Sequence, residues 1–281
     1  MATMEHFYKK KSLGQHFLND KAIARRIAEA GKVVPGDIVL EIGPGTGNLT
    51  APLLELGASV IAVEADERAI FELQARFRNE IASKRLVLHH GDIRELGFEA
   101  LGLRDGAFKI IANIPYYISG LLFRIALGSR IQPTMVVFLV QKEVAERIAR
   151  TEKESLLSLS VKVYGDPTYC FTVKRGSFTP PPAVDSAVIA IEAVSRRRLG
   201  SLSDETFFDT IRIGFGSRRK QLFGLLKQYY GEQALGAVFE ALKLPLTVRG
   251  EDLHIQDWIR LSTTLQKTLK LSTQNDEKEL W

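Results

Sequence analysis

Short apolar runs alternate with segments of helical spacing from residue 37 onward, and this alternation constrains the fold more than any other feature. Several of the runs are continuous rather than alternating, at residues 38–42, 60–63, 86–88, 109–112 and 135–140. Continuous apolar strands are typical of a sheet that is buried on both faces. Helical spacing is found between them, at residues 49–56, 67–79 and 119–127. This order predicts an α/β fold with a doubly wound, Rossmann-like sheet.

The pattern changes towards the carboxyl end of the chain. Residues 169–173 and 187–194 predict two more strands, and the proline-rich stretch 178–182 between them predicts a stiff extended loop. Residues 204–263 have almost wholly helical spacing. We therefore predict two domains, an α/β domain over residues 1–200 and a small all-helical domain over residues 201–281.

The net charge of +5 is unevenly distributed. Residues 201–281 carry 11 basic and 11 acidic residues, so the excess belongs to residues 1–200. Basic residues cluster at 9–11, 196–198 and 218–220. Such clusters are typical of proteins that bind nucleic acid, although an ordinary solvated surface explains them equally well.

Cysteine content and hydropathy restrict the class of protein. The single cysteine, Cys170, excludes an internal disulfide and a cysteine-cluster metal site. No run approaches the roughly 18 apolar residues of a membrane span, and the polar start of the chain lacks a secretory signal. We expect a cytoplasmic protein without metal or membrane association.

A glycine-rich loop follows the first predicted strand of the sheet. Gly43, Gly45 and Gly47 alternate with other residues directly after Glu41 and Ile42. Alternating glycines allow a sharp strand-to-helix turn and a close approach of the backbone to a ligand. An ordinary tight turn would also use glycines, so the loop alone is weak evidence.

Two acidic residues after the next strands indicate the ligand. Glu64 ends the second strand, where it can accept hydrogen bonds from both ribose hydroxyls, and Asp92 follows the third strand, within reach of an adenine amine. Together with the glycine loop they predict a site for an adenosine without phosphates, for which S-adenosylmethionine is the obvious candidate. The alternative for each carboxylate is a solvated position at a strand end.

The tetrad Asn113, Ile114, Pro115 and Tyr116, after the fourth strand, is the most specific motif. An exocyclic adenine amine is a poor nucleophile because its lone pair is delocalised into the ring. Acceptance of its hydrogens by the Asn113 side-chain oxygen and the Ile114 carbonyl would direct that lone pair at a sulfonium methyl. Pro115 would fix the turn and Tyr116 would stack on the base. A plain strand-to-loop turn is the alternative.

Phe178 begins the proline-stiffened loop. An aromatic in this position can form the second face of a sandwich around a flipped base. The alternative is a buried aromatic that anchors the loop.

These motifs occur in an order that resembles one family over nearly the whole chain, from about Lys10 to Leu261. The chain is similar to bacterial small-subunit (16S) ribosomal RNA adenine dimethyltransferases, which dimethylate two adjacent adenosines near the RNA 3′ end. The resemblance implies a class I methyltransferase fold. Its landmarks in this sequence are residues 11–18, 41–47, 113–116, 141–145, 177–186 and 215–220.

The resemblance also implies roles for individual residues. His16 and Leu18 would close over the cofactor, Gly43 would contact its methionine part, and Asn113 would serve both cofactor and target amine. The chain departs from the family pattern at two positions, with His16 and Tyr117 where asparagine is frequent. Arg218, Arg219 and Lys220 would face RNA phosphates from the helical domain, unless they are only a solvated helix start. The partner would be small-subunit RNA within a pre-30S particle, and we expect a monomer.

Three other readings remain open. The related large-subunit dimethylases that confer macrolide resistance share the cofactor loop and a similar tetrad, but residues 141–145 and 180–184 favour the small-subunit type. A DNA adenine methyltransferase more usually has two prolines before the tyrosine. A non-catalytic RNA-binding factor would not need the amine-binding tetrad.

Overall fold

The computed structural model describes residues 16–217 and 219–278, with side chains up to residue 268. The strands are β1 (Phe17–Leu18), β2 (Ile38–Ile42), β3 (Ser59–Glu64), β4 (Leu86–His90), β5 (Lys109–Asn113), β6 (Met135–Gln141), β7 (Asp166–Val173), β8 (Phe178–Thr179) and β9 (Ser186–Glu192). The α-helices are α1 (Lys21–Ala30), α2 (Thr50–Glu55), α3 (Glu67–Arg76), α4 (Arg78–Ala82), α5 (Ser119–Gly128), α6 (Lys142–Ala149), α7 (Leu156–Lys162), α8 (Asp204–Gly214), α9 (Leu222–Tyr230), α10 (Glu232–Ala241) and α11 (Ile255–Lys278).

A seven-stranded sheet forms the centre of the α/β unit, in the order β4-β3-β2-β5-β6-β9-β7. The first five strands in this order, β4, β3, β2, β5 and β6, pair in parallel. Every residue of β6 except Gln141 is buried, as expected for a strand covered on both faces. All the strands predicted for this sheet are present. The one helix predicted over residues 67–79 is instead divided into α3 and α4 at Phe77, whose ψ of 35° interrupts the helix.

The last two strands of the sheet run in the opposite direction. β9 pairs antiparallel with both β6 and β7, and its first residue, Ser186, lies opposite Gln141 at the carboxyl end of β6. Because β9 is reversed, its amino end shares an edge with the carboxyl ends of the parallel strands. Ligand sites of open α/β sheets lie at that edge.

A second, two-stranded sheet joins distant parts of the chain. β1 pairs antiparallel with β8, with Phe17 opposite Thr179 and Leu18 opposite Phe178. The backbone amide of Asn19 extends the pairing by donating to the Ser177 carbonyl at 2.9 Å. We call residues 16–19 the strap, since this pairing ties them to the loop before β9.

The chain divides into two compact units, residues 1–149 with 165–194 and residues 150–164 with 195–281. The helical unit packs around Trp258, which is fully buried. A Cβ at Gly214 would lie 2.3 Å from this indole, so glycine is needed there. The predicted domains, residues 1–200 and 201–281, differ from this division at residues 150–164 and 195–200, which both belong to the helical unit. In the first of these segments, the Glu154 backbone amide donates to the Glu251 carbonyl at 2.8 Å and the Glu154 carboxylate pairs with Lys162 at 2.7 Å. None of the described helices has the length and apolar character needed to cross a membrane.

Candidate active site

A pocket opens at the carboxyl edge of the parallel strands, within the α/β unit. It is lined by segments that follow β2, β3, β4 and β5, and by the strap. The structure brings together here nearly all the residues predicted from sequence to bind cofactor or target: His16, Leu18, Gly43, Gly45, Glu64, Asp92, Asn113, Ile114, Pro115 and Tyr116. Among the described residues, no group of His, Cys, Asp or Glu side chains is arranged to hold a metal ion.

The glycine loop leaves β2 through backbone conformations that other residues rarely adopt. Gly43 has a φ of 67° and Gly45 a φ of 56°. A Cβ added at Gly43 would meet no atom within 4 Å, so the space beside its backbone is open. The loop therefore presents bare main chain to the pocket, as a ligand in close contact requires.

Glu64 is buried at the end of β3, with 4% of its surface exposed. One carboxylate oxygen accepts from the Gly45 amide at 3.0 Å and the other from the Asp66 amide at 2.9 Å. Burial raises the pKa of this carboxyl, while the two amides act in the opposite direction. Each oxygen has a second lone pair, so the anchored carboxylate can still accept from ligand hydroxyls.

Glu41, on β2, was noticed in the sequence but given no role there. It is 1% exposed, lines the pocket, and accepts a hydrogen bond from the Thr50 hydroxyl at 2.6 Å. Burial raises its pKa to about 8, and the neighbouring charge of Glu64 adds to the rise. Glu41 is therefore mostly protonated at neutral pH. A lone acidic residue in an otherwise apolar strand is the signal by which sequence could have singled it out.

Asp92 lines the pocket and follows β4 in the chain. The Nε atom of Arg94 donates to both of its carboxylate oxygens, at 2.9 and 2.8 Å, and the Arg94 Nη2 makes a further short contact. These hydrogen bonds lower the pKa of Asp92. The carboxylate is thus charged and oriented, and an adenine amine would share it with Arg94.

Asn113 ends β5 and is half-buried in the pocket wall. Its Nδ2 atom donates to the His16 carbonyl of the strap at 3.3 Å. This contact orients the amide, and no residue in the described part of the chain donates a hydrogen bond to the Asn113 Oδ1. The side-chain oxygen is therefore available to accept a hydrogen bond from a ligand in the pocket that Asn113 lines.

Tyr116 lies in a short 3-10 helix that begins after Pro115. Its hydroxyl lies 2.5 Å from the Ser186 Oγ, and the His16 ring stacks on it with centroids 5.7 Å apart. Burial raises the pKa of this phenol, so Tyr116 is neutral near pH 7. The next residue, Tyr117, is 65% exposed at the pocket rim.

The strap is held over the pocket by side chains as well as by its strand pairing. Asn48 donates to the Leu18 carbonyl at 2.7 Å, and the His16 Nδ1 lies 2.8 Å from the Pro180 carbonyl. Leu18 is 4% exposed. The pocket therefore has one wall formed by the glycine loop and another formed by the strap and the tetrad.

Comparison with known proteins shows the family to which the chain belongs. The family model for ribosomal RNA adenine dimethylase matches residues 6–267. The chain belongs to this family. Ribosomal RNA small subunit methyltransferase A of Gloeobacter violaceus is 39% identical over 93% of this chain and 95% of its own length. The protein of that name from Dehalococcoides mccartyi strain CBDB1 is 37% identical over 90% of this chain and 87% of its own length.

A solved structure supports the same conclusion for the fold. A dimethyladenosine transferase from Plasmodium falciparum superposes with a TM-score of 0.74 and 28% identity, over 90% of this chain and 98% of that one. The Rossmann-like methyltransferase fold and the small-subunit family resemblance inferred from the sequence are both confirmed.

Phe178 is the one predicted catalytic residue of this adenine dimethylase that does not line the pocket. Its side chain is 3% exposed and packs in the hydrophobic core with residues such as Leu18 and Val173. The structure thus places Phe178 as an anchor of its loop, the alternative left open by the sequence. Base stacking by Phe178 remains a prediction, and it would require the ring to leave the core.

Two of the predicted RNA-binding residues, Arg219 and Lys220, belong to the helical unit. Arg219 and Lys220 are exposed in the turn before α9, and the Lys220 amide donates to the Ser217 carbonyl at 3.3 Å. Arg218 lies outside the described residues. The role of all three in binding phosphate remains a prediction.

Proposed function

We propose that this chain uses S-adenosylmethionine to dimethylate the N6 amines of two adjacent adenosines near the 3′ end of small-subunit (16S) ribosomal RNA. Asn113 is the observation that carries the proposal, because it lines the pocket and the strap holds its amide nitrogen, which leaves its side-chain oxygen to accept from a ligand. The names of the curated relatives favour the small-subunit RNA over its large-subunit counterpart.

The residues of the pocket fit S-adenosylmethionine. Glu64 presents an anchored carboxylate to the ribose hydroxyls, and Asp92 presents one to the adenine amine. The open space beside Gly43 admits the methionine part against bare backbone. When bound, the cofactor supplies a methyl group activated by a sulfonium. His16 and Leu18 close the pocket over it from the strap.

Asn113 and Ile114 would hold the target amine. The Asn113 Oδ1 accepts one amine hydrogen and the Ile114 carbonyl the other, which draws the nitrogen towards a tetrahedral geometry with its lone pair free. A neutral acceptor suits this task, since a carboxylate here would stabilise the sulfonium ground state. Pro115 fixes the turn, and Tyr116 stacks on the base. Because stacking does not depend on the hydrogens of the amine, an adenine that already carries one methyl group is accepted again.

The protein would meet its RNA within a pre-30S particle in the cytoplasm, as a monomer and without a metal. The helical domain contributes the cations Arg218, Arg219 and Lys220, which neutralise phosphates without reading sequence.

The test is to incubate the protein with tritiated S-adenosylmethionine and small subunits that lack the modification, and then map the label. Two adjacent adenosines near the 3′ end should carry it, with two methyl groups each. The Asn113→Ala variant provides the matched control, in which labelling should be nearly lost. Label on large-subunit RNA alone, or none on either RNA, would refute the proposal.

A further inference from the structure

The Tyr116 ring is held from two directions by residues outside the tetrad. Its hydroxyl meets the Ser186 Oγ at 2.5 Å, and the His16 ring stacks on it at an interplanar angle of 25°. Ser186 is 70 residues away in sequence, and His16 is 100 residues away on the other side. Two separate parts of the chain therefore converge on one side chain of the site.

Ser186 is suited to hold a partner rigidly. It is fully buried, and it starts β9 between Gln141 of β6 and Val173 of β7. A strand paired on both edges leaves the backbone little freedom. A buried hydroxyl also needs a hydrogen-bond partner, because an unpaired one is destabilising. The Tyr116 phenol is that partner, so the two hydroxyls hold each other in place.

His16 restrains the ring from its face. Its Nδ1 lies 2.8 Å from the Pro180 carbonyl, and a carbonyl oxygen only accepts hydrogen bonds. The Nδ1 atom must therefore carry a hydrogen and donate it, which fixes the plane of the imidazole. An imidazole fixed in this way gives the Tyr116 ring one defined surface to lie against.

We propose that Ser186 and His16 are positioning residues that set the plane of the Tyr116 ring before the target base arrives. A ring that is already in place loses less conformational freedom when it stacks on a base. This inference rests on the proposed function, in which Tyr116 is the stacking surface. Neither residue needs to touch the RNA for the effect.

A double-mutant cycle between Tyr116→Phe and Ser186→Ala tests the part played by Ser186. Each variant removes one hydroxyl of the pair, and we expect each to lower kcat/KM for unmodified small subunits by about 3- to 10-fold, as the loss of one neutral hydrogen bond does. The effect should fall mainly on KM for the RNA substrate. The affinity for S-adenosylmethionine, measured by calorimetry, should stay within about twofold, since the pair does not hold the cofactor.

The double variant decides between positioning and a merely structural role. If Ser186 acts through Tyr116, adding Ser186→Ala to Tyr116→Phe should cause little further loss. Independent, multiplicative losses would overturn the inference, as would wild-type kcat/KM in Ser186→Ala alone. Ser186→Thr keeps the hydroxyl and should restore most of the activity. Failure of the wild-type protein to methylate the RNA would instead count against the proposed function.

The chain offers a matched control in the same unit. The Thr172 Oγ1 and the Tyr169 hydroxyl lie 2.6 Å apart on β7, and neither residue lines the pocket. Like Ser186→Ala, Thr172→Val removes the hydroxyl that pairs with a tyrosine. It should leave kcat/KM within about twofold of wild type.

Two variants at His16 test the second restraint. His16→Phe keeps a ring against Tyr116, whereas His16→Ala removes it, so the alanine variant should show the larger rise in KM for RNA. Equal KM values in these two variants would show that stacking by His16 does not position Tyr116.

Discussion

Replacing Glu41 by glutamine should stabilise the protein at neutral pH, by an amount that depends on pH. Glutamine keeps the shape of the side chain and an oxygen that can accept from Thr50, the partner found at 2.6 Å. It removes only the ability to ionise. The carboxyl has an ordinary pKa of 4.5 and a pKa of about 8 in the folded protein, and the difference arises mainly because the folded protein excludes water from it.

The direction of the pH dependence follows from the number of protons bound to the folded and the unfolded protein. Between pH 4.5 and about 8, the folded protein holds the Glu41 proton while the unfolded chain has released it. Raising the pH therefore favours unfolding, by about 1.4 kcal/mol per pH unit for one proton. From pH 4.5 to pH 7 the free energy of unfolding of the wild type should fall by about 3 kcal/mol through this one group. The glutamine variant lacks this loss.

Urea titrations of wild type and Glu41→Gln at pH 5, 6, 7 and 8 provide the measurement. The difference in unfolding free energy should be small at pH 5 and reach about 3 kcal/mol at pH 7. The control is Glu72→Gln, the same substitution at an exposed position on α3. A difference between Glu41→Gln and wild type that is the same at every pH would refute the reasoning.

Four further outcomes are expected. Glu64→Ala should weaken S-adenosylmethionine binding by about 1–3 kcal/mol, because a charged acceptor of two hydroxyls is lost; an unchanged dissociation constant by calorimetry would contradict the ribose assignment. Binding the sulfonium cation in the pocket that Glu41 lines should favour the ionised form of Glu41 and release protons, more so than binding neutral S-adenosylhomocysteine; calorimetry in buffers of different ionisation enthalpy measures this, and equal proton release for both ligands would be evidence against it. Asn113→Ala should fold and bind RNA normally but transfer methyl groups on the order of 100-fold more slowly, and a single-turnover rate within about threefold of wild type would show that the tetrad is only a turn. Alanine at Arg219 and Lys220 should each flatten the plot of log K for RNA against log salt by about 0.7–0.9; a wild-type slope would assign both residues to the ordinary surface.

The cofactor side of the site was predictable because each of its parts directly follows a strand. The glycine loop after β2, Glu64 at the end of β3 and Asp92 after β4 are local signals, and a parallel sheet brings the carboxyl ends of its strands to one edge. The tetrad follows β5 by the same rule. Continuous apolar runs that alternate with segments of helical spacing were enough to predict that sheet, since such runs are typical of strands buried on both faces.

The sequence by itself therefore determined the sheet, its glycine loop and the acidic and amide side chains at its edge, all of which depend on residues close together in the chain. Tertiary structure alone decided how distant residues contact one another in the site. The reversed direction of β9 places Ser186 against Tyr116, and the pairing of β1 with β8 brings His16 to Asn113 and the Phe178 ring into the core. No local pattern encodes strand direction or such a pairing, because both depend on how whole segments pack. The raised pKa of Glu41 has the same origin, since the loss of water that causes it is a property of the folded protein.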